Sequence, residues 1–317
     1  MCAEKKGLAD GGPILVAGRN GQVALELARA LRATGHRYLA FGREKLDIAD
    51  TDAVDRAVQS LRPALVINAA AYTAVENAET DRNVARAINA LGAERLAAAA
   101  HHVGAPIIHL STDYVFDGNQ STPYVESDRP NPLSVYGSTK LEGEGLVANA
   151  NPRHIILRTA WIFSSHGQNF VKTMLALGAE REKISVVADQ RGAPTSAADL
   201  ADAIVHLSDA VLGDKKGPKQ SGTFHITSEG STTWHGFACA IMDGARLRGA
   251  RTARVEPIAA ANFPMCARRP QNSVLNTTKI SRTYGIELQS WRSALEVCLD
   301  TLVGLPGSSD RIKVIRG

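Results

Sequence analysis

The sequence predicts an α/β fold in which a doubly wound parallel sheet carries helices on both faces and is followed by a smaller, mixed α+β lobe. In the first two-thirds of the chain, short apolar or β-branched runs alternate with longer segments of helical periodicity, as in successive βαβ units. Beyond about residue 160 this alternation becomes irregular. A glycine-containing turn also separates the first predicted strand from the first predicted helix, at the edge where open parallel sheets bind ligands.

The individual elements follow from periodicity and from residues that start or stop helices. In the first helix an apolar stripe recurs at Val23, Leu27 and Leu31, and Gly35 is a suitable C-terminal stop. The predicted strands of the sheet cover residues 13–18, 37–41, 64–71, 106–116 with an exit loop, and 154–163. The helices between them cover residues 21–35, 52–61, 82–104 and a segment that contains Tyr136.

The C-terminal part mixes helices with short strands. Its predicted elements are a helix over 196–212, a strand at 224–227, a helix capped by Ser231 or Thr232, and a last helix over 291–303 after Ser290. We therefore expect a flexible tail at 1–12, a sheet domain at 13–160, and a lobe at 161–317 of which some segments return to the sheet.

Composition excludes several classes of protein. The chain has 317 residues, a net charge of +4 and 5% aromatic residues, without the dense basic stripe that nucleic-acid binding requires. No run of about 18 apolar residues predicts a membrane span, and the N-terminus lacks the apolar segment of a signal peptide. The four cysteines have no metal-binding spacing. We expect a cytoplasmic protein without nucleic-acid or membrane partners and without a metal.

The turn after the first strand reads Gly18-Arg19-Asn20-Gly21-Gln22-Val23-Ala24. Gly18 and Gly21 permit a tight turn and a close approach of the backbone, so that a pyrophosphate can bind at the helix N-terminus. Such a glycine turn is often no more than a turn, but its strand–turn–helix context favours a nucleotide. The sequence therefore predicts a Rossmann-type, NAD(P)-binding domain at 13–160.

The residues after the second strand bear on the choice of cofactor. An acid at the strand end would bind the adenosine 2′-hydroxyl of NAD, whereas an arginine accommodates a 2′-phosphate. The stretch here, 41–44, has no acid at the strand end and contains Arg43, which could also be an ordinary surface arginine. The sequence favours NADPH and leaves NADH open. We expect Asp47, Ile48, Ala70 and Ala71 to line the adenine and ribose.

Tyr136 and Lys140 stand four residues apart in a predicted helix. Positions i and i+4 share one helix face, so a phenol and an ammonium would point into the same volume. The pair could be a solvated helix face, or an acid together with the cation that adjusts its pKa.

Eight motifs, which occur in order along the chain, favour the second interpretation of Tyr136 and Lys140, an acid with its cation. With them the chain resembles the dTDP-4-dehydrorhamnose reductases, within the extended short-chain dehydrogenases/reductases. The matching stretches are GRNGQVALEL (18–27), NAAAYTAVENAE (68–79), STDYVFDG (111–118), PYVESDRPNPLSVYGSTKLEGE (123–144), RTAWIF (158–163), QNFVKTM (168–174), VADQRGAPTSAADLAD (187–202) and RPQNSVLNT (269–277).

The resemblance implies reduction of the 4-keto group of a dTDP sugar by NADPH or NADH, the last step of dTDP-L-rhamnose synthesis. It places Thr112, Tyr136 and Lys140 at the catalytic positions of the family. By the same resemblance, the cofactor-lining positions are Gly21, Gln22, Val23, Ala71, Tyr72 and Thr73, and the positions facing the sugar are Thr112, Asp113 and Trp161.

The chemistry needs these residue types. Hydride transfer to the carbonyl leaves an alkoxide, which Tyr136 could protonate if its pKa falls from about 10 towards neutrality. A cation about 4 Å away at an effective dielectric near 20 contributes about 4 kcal/mol, so Lys140 suffices. Lys140 could also bind the nicotinamide ribose, and Thr112 could bond the carbonyl oxygen.

Other residues are weaker candidates. Arg191 is a candidate for binding the substrate diphosphate, because a guanidinium matches phosphate geometry. Weaker candidates for the same role are Asn169, Arg268 and Arg269. Each has an ordinary structural alternative: Trp161 could be a core residue, Asp113 a turn cap and Arg191 a surface charge.

Quaternary structure and function leave alternatives open. Some members of the family form dimers through a cation held by glutamates; Glu26 matches one position, but Ala198 stands at the other, with only Asp199 adjacent. We therefore expect no metal and regard a homodimer as possible.

One alternative function is a non-catalytic NADP-binding protein like the regulatory subunit of methionine adenosyltransferase. The other is a reductase or epimerase of another nucleotide sugar.

Overall fold

A computed structural model describes residues 11–213 and 221–305. Most of the predicted tail at 1–12 lies outside these residues. The strands are β1 (Ile14–Ala17), β2 (Tyr38–Phe41), β3 (Leu65–Asn68), β4 (Ile107–Thr112), β5 (His154–Thr159), β6 (Ile162–Phe163), β7 (Lys183–Val187), β8 (Arg191–Gly192), β9 (Thr195–Ser196), β10 (Gly222–His225), β11 (Ser228–Glu229), β12 (Thr232–Thr233), β13 (Arg254–Ile258) and β14 (Leu288–Ser290). The α-helices are α1 (Gln22–Ala33), α2 (Thr51–Leu61), α3 (Val75–Ala78), α4 (Arg82–Arg86), α5 (Ala93–His102), α6 (Val135–Ala150), α7 (Phe170–Glu180), α8 (Ala197–Gly213), α9 (Trp234–Leu247), α10 (Thr278–Tyr284) and α11 (Trp291–Val303).

The central sheet has six parallel strands in the order β10-β5-β4-β3-β1-β2. The chain therefore runs outwards from β1 in both directions, which is the doubly wound pattern. Separate apolar clusters cover the two faces, one with α1 and α8 and the other with α2 and α5. These observations confirm the predicted fold class.

The C-terminal part contributes both to the sheet and to a core of its own. Strand β10 pairs with β5 at the sheet edge, with Phe224 opposite Leu157. A third apolar cluster, which includes Phe163, Phe237 and Trp291, joins α7, α9 and α11. Strands β7 and β13 pair with each other next to this cluster. The division of the chain at residue 160 stays a prediction.

Several element boundaries differ from the sequence prediction. The strand predicted over 154–163 is interrupted because Trp161 has a positive φ of 46°. The helix predicted over 82–104 contains a π-helical segment at Ala87–Gly92. The prediction of Ser231 or Thr232 as the cap of α9 is wrong, because Thr233 accepts the bond from the Gly236 N–H. Ser290 does cap α11, as predicted.

In the part of the chain that the structure describes, no helix is both long and apolar enough to cross a membrane.

Candidate active site

A cleft of about 520 Å³ opens at the carboxyl ends of β1, β3, β4 and β5. It has the size of a small-molecule site and lies at the switch point of the sheet. It is lined by the predicted cofactor residues Gly21, Gln22, Val23, Ala71 and Thr73. It is also lined by residues that were predicted for catalysis or substrate binding, which are Thr112, Asp113, Tyr136, Lys140, Trp161 and Asn169.

The β1–α1 turn has the backbone geometry that a pyrophosphate requires. Gly18 adopts a φ of +109°, and a Cβ atom there would meet the backbone of Ala69 at 3.0 Å. Among the described residues, a Cβ atom on Gly21 would meet nothing within 4 Å, and no side chain caps the N-terminus of α1. The first N–H groups of a twelve-residue helix are therefore open to the cleft, so the turn fits a dinucleotide cofactor.

Other predicted cofactor residues lie behind or beside the cleft. The Ala70 N–H donates to Asn68 Oδ1 at 3.1 Å, and Tyr72 donates its hydroxyl to Asp81 at 2.8 Å. Ile48 is only 3% exposed and packs against Gly92. Its place beside the adenine stays a prediction.

Arg43 and Asp47 form an exposed ion pair at 3.0 Å beyond the end of β2. Neither is a wall of the cleft as the chain stands. The guanidinium of Arg43 is three-quarters exposed and is therefore free to meet a charged group that extends past β2. Its role towards a 2′-phosphate stays a prediction.

Thr112 and Asp113 end β4 at the floor of the cleft. The Thr112 hydroxyl donates to Asp113 Oδ1 at 3.0 Å and accepts from the Tyr114 N–H at 3.1 Å. Burial raises the pKa of Asp113 to about 7, although hydrogen bonds from Ser273 and Thr112 oppose this rise. Near neutral pH this carboxyl group therefore exists in both protonation states.

Tyr136 lies in the first turn of α6, which Ser134 caps by accepting a bond from the Gly137 N–H. Burial, opposed by a hydrogen bond with Thr112 and reinforced by the charge of Asp113, raises the pKa of Tyr136 to about 12. The sequence predicted the opposite direction. The pKa rises chiefly because the phenol is buried, and the amine of Lys140 donates to the Leu110 carbonyl oxygen at 2.6 Å.

Lys140 is 2% exposed and faces the cleft from α6. Burial lowers its pKa to about 8, because transfer of an ammonium out of water is unfavourable, and the charge of Glu144 raises it in part. Its Nζ atom lies 3.4 Å from His109 Nε2. Tyr136 and Lys140 therefore line one cleft from one helix face, as the i, i+4 spacing predicted.

Trp161 forms an aromatic wall of the cleft together with Trp234. The two rings stack at 3.6 Å with 7° between their planes. Gly192 lies directly behind Trp161: a Cβ atom there would come within 2.4 Å of the indole ring. Trp161 is thus a cleft residue with a strained backbone, and strain of this kind is concentrated at functional sites. Trp234 was not among the predicted site residues.

The remaining substrate candidates have partners within the chain. Asn169 caps α7 and donates to Gln22 Oε1 at 3.0 Å, which ties the loop before α7 to the cofactor turn. Arg191 is exposed, donates to the Ser231 hydroxyl and does not line the cleft. Arg269 donates to Glu76 at 2.8 Å, and Arg268 is exposed. Their roles towards a diphosphate stay predictions.

Glu26 also has partners within the chain. It accepts hydrogen bonds from Ser164 at 2.9 Å and from Arg29 at 2.9 Å. Asp199 accepts from Gln289 at 3.0 Å. Among the described residues, no group of three or more His, Cys, Asp or Glu side chains could hold a metal ion.

A buried polar layer beneath the cleft was not foreseen. Asn68 donates to His109 at 3.0 Å, and the imidazole lies next to Lys140. Beside them Arg158 donates to Glu144 at 2.7 Å. The available signal was the presence of polar residues inside otherwise apolar strands, as with the histidine of IIHLST in β4.

A glycine turn that fits a pyrophosphate, a doubly wound sheet, and a tyrosine and a lysine on one helix face define the class. The protein is a nicotinamide-cofactor-dependent oxidoreductase of the extended short-chain dehydrogenase/reductase type. A UDP-glucose 4-epimerase from Thermus thermophilus, in complex with NAD, shares the fold at 19% identity and a TM-score of 0.73.

Nearer relatives give the family. Residues 12–303 match the family model described as the RmlD substrate binding domain. The dTDP-4-dehydrorhamnose reductase of Burkholderia thailandensis is 44% identical over 92% of this chain and 99% of its own length, and that of Escherichia coli is 40% identical over 91% and 97%. The reductase of Bacillus anthracis, in complex with NADP, superposes with a TM-score of 0.85 at 36% identity, covering 92% of this chain and 99% of its own. The chain belongs to the dTDP-4-dehydrorhamnose reductase family.

Proposed function

We propose that this protein reduces the 4-keto group of dTDP-4-dehydro-L-rhamnose with NADPH and so forms dTDP-L-rhamnose. The observation that carries the proposal is the convergence of Thr112, Tyr136 and Lys140 in one cleft beside the pyrophosphate-fitting turn. The names of the relatives, which are dTDP-4-dehydrorhamnose reductases, support the choice of sugar.

The bound cofactor supplies the hydride, and the protein supplies position and a proton. The N-terminus of α1 and the glycine turn would hold the pyrophosphate, and Ala71 and Thr73, which also line the cleft, would contact the cofactor. Trp161 and Trp234 provide an apolar wall against which a sugar ring can lie.

Tyr136 is the proton donor in this proposal, and its raised pKa suits the direction of the reaction. An alkoxide is about as basic as hydroxide, so its conjugate acid is a much weaker acid than a phenol. A phenol with a pKa of about 12 is fully protonated at neutral pH and is still the stronger acid of the two. Transfer of the proton from Tyr136 to the alkoxide is therefore favourable even though the pKa of Tyr136 is not lowered, as the sequence had predicted it to be.

Thr112 and Asp113 position the oxygen that reacts. Thr112 lies next to Tyr136 and shares a hydrogen bond with it. Asp113 accepts the Thr112 proton on Oδ1. To bond the carbonyl oxygen of the substrate, the Thr112 hydroxyl would turn its single proton away from Asp113, and Asp113 would then accept from a sugar hydroxyl.

The test is the loss of NADPH absorbance in the presence of dTDP-4-dehydro-6-deoxyglucose, with and without a 3,5-epimerase. Turnover only in the presence of the epimerase is the expected result. Turnover without it would identify another keto sugar as the substrate. Binding of NADPH without turnover in either assay would contradict the proposal and favour a regulatory subunit.

The cytoplasmic location and the homodimer stay predictions. Cell fractionation and light scattering coupled to size-exclusion chromatography would check them.

A further inference from the structure

The surroundings of Lys140 contain a feature that the proposed reaction does not use. Strands β3 and β4 pair so that Asn68 stands beside His109. His109 is completely buried, and its two ring nitrogens face Asn68 on one side and Lys140 on the other. A buried histidine between an amide and a lysine needs a matching arrangement of donors and acceptors.

The hydrogen bonds determine which ring nitrogen of His109 carries the proton. Asn68 Oδ1 accepts from the Ala70 N–H at 3.1 Å, so the NH₂ group of Asn68 faces His109 Nδ1, 3.0 Å away. Nδ1 must therefore be an acceptor. Burial keeps the pKa of His109 well below its usual range, and the charge of Lys140 lowers this pKa further when the lysine is protonated. The ring is therefore neutral and its one proton is on Nε2.

The Nε2–H group of His109 points at Lys140 Nζ across 3.4 Å. An ammonium has only donors, so it cannot accept this hydrogen bond. A neutral amine can, because it has one lone pair for His109 and still donates to the Leu110 carbonyl oxygen at 2.6 Å. The arrangement of partners matches the neutral form of Lys140.

We propose that Asn68 and His109 are positioning residues that hold an N–H donor against Lys140, stabilise its neutral amine, and so make the ammonium of Lys140 an acid able to return a proton to Tyr136. When Tyr136 protonates the alkoxide, a phenolate remains. Lys140, one helical turn away, gives its proton to the phenolate and becomes the amine that His109 stabilises. Solvent then restores the ammonium before the next turnover.

Within the described ranges, few other titratable groups surround Lys140. Glu144, one turn further along α6, favours the ammonium, but its carboxylate is bonded to Arg158 on β5. Tyr136 is the titratable neighbour one turn earlier on the same helix, and His109 faces Lys140 from β4. The π-helical segment packed against α6, AINALG, has no titratable side chain.

The test is the titration of Lys140 in the free protein by NMR of ¹³Cε-labelled lysine, with the resonance assigned from its absence in Lys140→Met. Wild-type protein is expected to titrate at about 8. In His109→Asn the amide oxygen can replace Nδ1 towards Asn68, but nothing replaces the donor towards Lys140. The pKa of Lys140 should then rise by about one unit, a tenfold change in proton affinity. In His109→Gln the amide nitrogen can replace Nε2, and the wild-type value should return.

Asn68→Asp provides a second variant of nearly equal volume. A carboxylate can only accept, so Nδ1 of His109 must carry the proton and Nε2 must turn its lone pair to Lys140. The pKa of Lys140 should rise in this variant also.

The role in turnover rests on the proposed reductase activity, whereas the NMR titration does not. In the assay, kcat of the wild type should fall as the pH rises through the pKa of Lys140. In His109→Asn, this alkaline limb of the pH–kcat profile should move to higher pH. A uniform loss of kcat without movement of the limb would mean that His109 only packs. A wild-type lysine that titrates near its usual value, or one that His109→Asn and Asn68→Asp leave unchanged, would overturn the inference. Lack of turnover by wild type would count against the proposed function alone.

Discussion

Lys140 and Glu144 are both buried and stand one turn apart on α6, but their surroundings are opposite. Glu144 accepts three hydrogen bonds from Arg158 and a fourth from Ser111. Lys140 has a carbonyl oxygen and an imidazole as neighbours and no carboxylate hydrogen-bonded to it among the described residues. One charge is neutralised within the protein, and the other is not.

The difference indicates which charge stabilises the fold and which serves chemistry. A buried charge with a matched partner is tolerated, whereas an unmatched one has a shifted pKa and marks a functional site. Only Lys140 of the two lines the cleft. Glu144 and Arg158 anchor α6 to β5, and that anchoring holds Lys140 and Tyr136 in place.

The largest effect is expected for Lys140→Met. Turnover should fall by about 10²–10⁴-fold, because the cation that assists Tyr136 is lost. The free energy of unfolding at neutral pH should not fall, since the variant removes a buried charge without a counter-ion. Steady-state kinetics and urea denaturation measure the two quantities.

The pH dependence of stability sharpens this prediction. The folded-state pKa of Lys140, about 8, is below its usual value of 10.5, so the unfolded chain binds more protons between these values. Wild-type stability should therefore gain a contribution as the pH rises through this window, and Lys140→Met should lack it. A large loss of stability in this variant at neutral pH would contradict the contrast with Glu144.

Glu144→Gln should have the opposite profile. It leaves the buried Arg158 without a counter-charge, which typically costs about 3–5 kcal/mol of unfolding free energy. Glu142→Gln is the matched control, because Glu142 lies on the same helix and pairs with Arg86 at the exposed surface. Its loss should be much smaller. Urea denaturation measures both losses. Equal losses of unfolding free energy in the two variants would contradict a structural role of the Glu144–Arg158 pair.

The smallest effect is expected at the exposed Arg43–Asp47 pair. Arg43→Ala should not change stability measurably, since surface ion pairs contribute little. It should weaken NADPH binding by about tenfold while leaving NADH binding unchanged, the effect of one lost contact to a phosphate. Titration calorimetry with both cofactors checks this, and equal weakening of both would refute the assignment of Arg43 to the 2′-phosphate.

The parts of the fold that depend on local signals were predictable from the sequence. The glycine turn, the alternation of strands and helices, and the i, i+4 pair each lie within a short stretch, and the structure has them where predicted. Helix α7 carried a similar signal, the cap Asn169 before an apolar run, but the sequence reading did not include it.

The features that were missed depend on contacts between distant segments. The pKa of Tyr136 was predicted in the wrong direction because burial of the phenol raises this pKa, and that burial depends on segments that are distant in the sequence. The break at Trp161 depends on Gly192 of strand β8 and Trp234 of helix α9, which are both distant in the sequence. Sequence spacing alone does not define such neighbours.

Tyr136→Phe tests the central claim most directly, with Tyr38→Phe on the outer strand β2 as the matched control. Consumption of NADPH with the keto sugar and the epimerase should fall by about 10²–10⁴-fold in Tyr136→Phe, while NADPH affinity is retained and the control turns over like wild type. Wild-type turnover in Tyr136→Phe would contradict the assignment of the proton donor and, with it, the catalytic role of the α6 face.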